Sequence, residues 1–344
     1  MPMVRHDGGV GHSAEDGVFV FLLAGQSNMS GRGTLPSPSA AAAFADPRIR
    51  VWRGPDGWAP AADPLHADKP TAGVGPGLAF ARAVLARLGE GAEIRLVPAA
   101  VGGSEIARWS PRGGDLFDAA AAAARAALAA SDERDGLARS DEPPKLAGIL
   151  WHQGESDAVS AALATAYAPA LRELLAALPG ACGSAGAAIV LGELGLGFLD
   201  TSRGGRFEHA PSVNGAICAV VADAVATGAR VGLVSARGLV DRGDRLHFSS
   251  GSAELLGERY ARRWLQLAVP RAVAGAGENN AEGGLFADGK LDPPLLCASP
   301  AALALGGRRP ESNVEGESHS FFECDAQLGA GGTRPPQTEA TMLS

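Results

Sequence analysis

Residues 18–29, VFVFLLAGQSNM, decide how this chain folds. The run 18–24 is apolar throughout instead of alternating, and it mixes β-branched, aromatic and leucine side chains. It therefore predicts a strand covered on both faces, as in a parallel sheet. The run stops abruptly at Gly25-Gln26-Ser27-Asn28. A serine held at the end of a buried strand is one way to present a nucleophile; a polar turn is the other reading of the same residues.

Further strands are predicted at 93–98 (EIRLVP), 146–151 (LAGILW), 187–192 (AAIVLG) and 231–235 (VGLVS). Helical patterns lie between them at 77–88, 115–130, 161–178, 210–227 and 252–268; the second is mostly alanine, the strongest intrinsic helix former. Strand alternating with helix predicts an α/β fold, a parallel sheet with helices on both faces. Residues 1–17, rich in Gly, His and Asp, predict a flexible lead-in, and 131–145 (SDERDGLARSDEPPK) a charged surface loop. From about 269 the chain becomes rich in Gly, Pro and polar residues without periodicity. The division expected is a lead-in at 1–17, one domain at 18–268 and a low-complexity, disordered tail at 269–344.

A 344-residue chain that is 46% hydrophobic can bury a sizeable core. The formal charge of −8, with basic residues scattered, argues against a nucleic-acid surface, which needs a basic patch. No membrane-spanning run of about 20 apolar residues stands out. The first seventeen residues lack the apolar core of a secretory signal, which predicts a cytoplasmic protein. The four cysteines lie far apart, with no CxxC pair and no zinc spacing, so free thiols and no structural metal are expected.

Open parallel sheets place their chemistry beyond the carboxyl ends of the strands. Polar clusters follow four of the strands expected here: GQSN at 25–28, VGGSEIARW at 101–109, WHQGESD at 151–157 and DRGDRLHFSSGS at 241–252. A serine hydroxyl needs a base, and histidine suits the task near neutral pH. Among seven histidines, His247 has Asp244 three residues before it, close enough in a turn for the carboxylate to hold one ring nitrogen. The order Ser27, Asp244, His247 then follows triad logic. An oxyanion would need donors. The candidates are the backbone N–H of Ser27, that of Gly103 in a glycine turn, and the side-chain amide of Gln153. Taken singly, each cluster has an ordinary reading as turn, loop or core; their joint occurrence at strand ends carries the inference. Met29 stands where the G-x-S-x-G elbow has its last glycine, so the α/β-hydrolase fingerprint fails.

These segments resemble the SGNH hydrolase superfamily and, within it, the sialate O-acetylesterase-like group that includes carbohydrate esterase family 6. GQSNMSGRG is similar to the group's nucleophile block, GGSEIARW to its oxyanion glycine block, WHQGESD to its third block and DRLH to its Asp-x-x-His block. PLHADKPTAGVGPGLAFA, 64–81, is similar to the plant branch. The resemblance spans about 18–268. It implies a flavodoxin-like three-layer α/β/α sandwich with a central parallel sheet. It also implies Ser27 as nucleophile, His247 as general base, Asp244 as its orienting acid, and Gly103 and Gln153 as oxyanion donors beside the Ser27 amide. No cofactor is implied, and the substrate implied is an acetylated sugar.

Gln26, Asn28, Glu155 and Trp109 are candidates for substrate contact or for supporting the site. For Glu155 the alternatives are a carboxylate partner for His247, a substrate contact, or a loop-fixing hydrogen bond. Trp52, Trp58 and Trp109 are candidate sugar platforms or plain core. The function expected is a serine esterase acting on O-acetyl or other short acyl esters of carbohydrates. One alternative is an inactive carbohydrate-binding protein on the same fold. Another is a metal-dependent hydrolase using His66, His152 and Asp63, which lack helical ligand spacing. The partner expected is a small ester substrate, with neither nucleic acid nor membrane; oligomeric state is not legible.

Overall fold

The computed structural model describes residues 17–43, 45–130 and 145–268. The expected tail, and all but Gly17 of the lead-in and Lys145 of the charged loop, lie outside them. Gly17 opens the first strand.

Seven strands form one sheet: β1 (Gly17–Gly25), β2 (Ile49–Trp52), β3 (Trp58–Pro60), β4 (Ala92–Pro98), β5 (Leu146–His152), β6 (Ala188–Gly192) and β7 (Val231–Val234). Their order is β3-β2-β4-β1-β5-β6-β7, with every pairing parallel except β2 with β3. The helices are α1 (Ser27–Ser30), α2 (Pro38–Ala43), α3 (Pro76–Leu88), α4 (Asp115–Ala129), α5 (Ala161–Ala181), α6 (Ala210–Ala226) and α7 (Ser250–Ala268).

The continuous apolar run of β1 is explained by its central place. Its side chains alternate between two cores, as a two-residue period requires. Val20, Leu22 and Ala24 join one core with residues of α4, α5 and α6. Phe21 and Leu23 join the other with residues of α3 and α7. Helices thus cover both faces, giving the three-layer α/β/α arrangement expected.

Helix α5 corrects one reading of the sequence: by length and composition it is apolar enough to cross a membrane. In the fold Tyr167, Leu171, Leu174 and Leu178 of this helix are buried in the core. Cys182 and Cys218 are free thiols; Cys297 and Cys324 lie outside the described residues.

The topology positions the site. From β1 the chain builds β2, β3 and β4 on one side, then crosses to β5 on the other. The carboxyl ends of β1, β4 and β5 therefore border the switch point where open α/β sheets form a crevice. Gly25 lets β1 and β5 close up there. Its φ is +127°, and a Cβ on it would lie 2.1 Å from the His152 carbonyl oxygen.

Candidate active site

Ser27 sits at the start of α1, directly beyond β1, and is 5% exposed. Its N–H comes first in the helix, where no intrahelical acceptor exists. His247 and Asp244 lie in the loop between β7 and α7. Although 220 positions separate them, His247 Nε2 is 3.1 Å from Ser27 Oγ. The other ring nitrogen, Nδ1, is 2.8 Å from Asp244 Oδ2. Asp244 Oδ1 accepts the N–H groups of Leu246 and His247 at 3.0 and 2.8 Å, so one carboxylate shapes the turn and orients the ring. Partial burial works to raise the Asp244 pKa, but the hydrogen bonds from the His247 backbone and ring outweigh it and hold the carboxyl below its usual range.

Asn28 brackets His247. Its Nδ2 donates to the Leu246 carbonyl at 3.1 Å and its Oδ1 accepts the Phe248 N–H at 3.1 Å. The same Nδ2 donates to Glu155 Oε1. Glu155 is 1% exposed, and its Oε1 lies 3.5 Å from His152 Nε2. Burial favours its neutral form, yet the adjacent His152 ring and the hydrogen bond from Asn28 keep its pKa below the ordinary value. Glu155 thus holds Asn28, which holds the His247 loop, and it also lines the cleft beside Ser27 and His247. Gln26 plays a matching part toward β5, its Oε1 accepting the N–H groups of Gly154 and Ser156 at 3.4 and 3.3 Å.

Gly103 follows β4 with φ +78°, a conformation suited to glycine. Its N–H has no protein acceptor among the described residues, and the residue lines the cleft with Ser27 and His247. The cleft measures about 420 Å³. Val159, Phe207 and Leu246 give it apolar wall, while Lys69, Thr71, Glu105 and Arg206 give it polar rim.

Two candidate residues lie away from the cleft, and the first of them is Gln153. It is fully buried, it does not line the cleft, and its Nε2 donates to the Ser104 carbonyl at 2.9 Å and to Asp157. Both amide protons are thus committed beneath the Gly102–Ser104 turn. Asp157 also accepts the Ile106 N–H, and burial raises its pKa to about 6. The second is Trp109, which is buried, packs edge-on against Trp151 at 5.0 Å and donates to Ser104 Oγ. Trp52 and Trp58 pack on each other at 5.2 Å and do not line the cleft either.

The alternative metal ligands have separate partners. His152 faces Glu155 and Tyr260, Asp63 lies near Arg82, and His66 lies under β1 with Nε2 3.5 Å from the Leu23 carbonyl. Among the described residues no three His, Cys, Asp or Glu side chains are grouped to hold a metal ion. Burial pushes the His66 pKa down to about 4, against the pull of nearby Asp68. Between its ordinary 6.5 and about 4, the unfolded chain holds a proton there that the folded chain lacks. Stability therefore falls as pH drops through that window, by up to about 3 kcal/mol from this group. Thermal unfolding of His66→Gln is expected to depend less on pH between 6.5 and 4.5 than that of the wild type. Identical slopes would contradict neutral burial of the ring.

Sequence reasoning missed Asp68 and Arg32. Asp68 Oδ2 accepts the Gly102 N–H at 2.8 Å and a hydrogen bond from Arg32 Nη2 at 2.7 Å. Arg32 lay within the quoted nucleophile block and Asp68 within the 64–81 stretch, but nothing in residue type alone singled them out.

The chain is similar to known carbohydrate esterases. Residues 18–266 match the profile of a family described as carbohydrate esterase, sialic acid-specific acetylesterase. An Arabidopsis thaliana protein described as a probable carbohydrate esterase is 34% identical over 176 residues, 43% of this chain and 58% of that protein. The alignment thus spans little more than half of that relative's length. The X-ray structure of the same plant protein superposes with a TM-score of 0.59 and 27% identity, over 72% of this chain and 98% of that one. A carbohydrate acetylesterase from Xanthomonas citri gives a TM-score of 0.49 at 20% identity, over 73% of this chain and 56% of that one. Since the family match runs unbroken from β1 into α7 and takes in every strand end that borders the cleft, the chain belongs to the sialic acid-specific acetylesterase family of carbohydrate esterases, carboxylic ester hydrolases of the SGNH fold.

Proposed function

We propose that the protein is a serine esterase that removes O-acetyl or other short acyl groups from carbohydrates through an acyl-enzyme on Ser27. One observation carries the reading: Ser27 Oγ, His247 and Asp244 form a continuous hydrogen-bonded chain, 3.1 and 2.8 Å, opening on a cleft. His247 Nε2 takes the hydroxyl proton as Oγ attacks the ester carbonyl carbon. The oxyanion that forms meets the N–H groups of Ser27 and Gly103, which have no other acceptor among the described residues. Collapse breaks the bond to the sugar oxygen, and His247 returns its proton to that leaving group. Water then enters, loses a proton to His247 and attacks the acyl carbon. Acetate leaves and the Ser27 hydroxyl is restored.

The cleft suits a hydroxyl-rich ring, with an apolar wall for one face and charged or hydroxyl groups along the rim. The test is acetate release from a panel of O-acetylated monosaccharides and acetylated xylan by the wild-type protein. Release from at least one sugar is expected. Sugar binding without any release would favour the inactive binding protein instead.

A further inference from the structure

The two backbone donors of the cleft come from different elements, Ser27 from α1 and Gly103 from the loop after β4. Hydrogen bonds to a single carboxylate join those elements. Asp68 Oδ2 accepts the Gly102 N–H at 2.8 Å, and Oδ1 accepts the Ser30 hydroxyl at 2.6 Å. Arg32 closes the arrangement, with Nη2 on Asp68 at 2.7 Å and Nη1 on Ser30 Oγ and the Gly31 carbonyl at 2.6 and 2.7 Å. Both charged side chains are nearly buried, at 6% and 3% exposure, where charge-assisted bonds hold geometry tightly. Gly102 is wedged against this pair: a Cβ on it would lie 2.3 Å from Arg32 Nη2, 3.0 Å from Asp68 Oδ2 and 3.4 Å from Ser27 Cβ.

We propose that Asp68, held by Arg32, is a positioning residue that fixes the oxyanion donors relative to Ser27; the proposal rests on the esterase reading above. With the Gly102 N–H taken by Asp68, the next N–H along, that of Gly103, is the one left for substrate. Asp68 touches no reacting atom. It acts through the Gly102 peptide on one side and Ser30 on the other, so its loss weakens transition-state binding more than substrate binding.

Asp68→Ala tests this. Alanine removes Oδ2, the one oxygen that both the Gly102 N–H and Arg32 Nη2 use, together with Oδ1, which holds the Ser30 hydroxyl. With p-nitrophenyl acetate, kcat is expected to fall about 10- to 100-fold, less than outright loss of an oxyanion donor, with KM changed less than about twofold. The inhibition constant of phenylboronic acid, which adds to a serine hydroxyl as a tetrahedral anion, should rise in parallel. A merely structural role would not move that constant selectively. If Asp68→Ala fails to fold, Arg32→Met/Asp68→Leu removes both charges together, leaves no unpaired ion, and should show the same weakened boronate binding. Unchanged kcat and boronate affinity in a folded variant, with an active wild type, overturns the positioning role alone. Absence of any wild-type turnover overturns the esterase reading and the role with it.

Discussion

Replacing Ser27 with alanine is expected to lower kcat for p-nitrophenyl acetate by about 10⁴-fold or more, as removal of a triad nucleophile does elsewhere. The fold should survive. The change deletes one hydroxyl at the mouth of the cleft, and the described contact it removes is the one to His247 Nε2. The N–H groups at 27 and 103 remain, so the alanine variant keeps its oxyanion donors and a small residual rate over water. KM should move little, because the acyl group and its sugar are held by the cleft walls. Steady-state kinetics on purified protein measures both constants. A rate within tenfold of the wild type would remove Ser27 from the chemistry.

Asp244→Asn is expected to lower kcat by about 10²- to 10³-fold, with the fold intact. The asparagine oxygen can still accept the N–H groups of Leu246 and His247, so the turn is preserved. What changes is the contact to Nδ1. An amide N–H there cannot accept the ring proton and favours the tautomer with its proton on Nε2, which cannot take one from serine. The effect should be smaller than for a fully buried triad acid, where about 10⁴ is typical, because the Asp244 side chain is 39% exposed and water can take its place. Loss of less than fivefold would show that the carboxylate does not set the ring's tautomer.

What the sequence disclosed, and what it withheld, follows from the physics of each element. β1 was legible because burial on both faces demands an unbroken apolar run, and β5 and β6 carried the same mark. β2 and β3 were not. They are four and three residues long, carry Arg50 and Pro60, and are separated by a Gly54–Asp56 turn. A proline is tolerated in β3 because it is an edge strand. Ser27, Asp244 and His247 were legible because their chemistry lies in residue type and order. The direction of a side chain does not. Gln153 was expected to face the cleft, yet a carboxylate four residues on, Asp157, draws its amide beneath the loop. Trp109 was assigned a possible surface role, yet its ring completes the core against Trp151. Asp68 escaped notice because its partner is a backbone N–H 34 positions away, which has no side-chain signature. Asn28 could be named but not explained until the His247 loop lay across it.

The most direct measurement is peptide mass mapping after brief reaction with a fluorophosphonate, which labels serines whose hydroxyl a neighbouring base activates. A single phosphonyl group on Ser27, lost when His247 is replaced by alanine, is the expected result. An unmodified Ser27, or label that persists at the same rate without the imidazole, would contradict activation of that hydroxyl by His247.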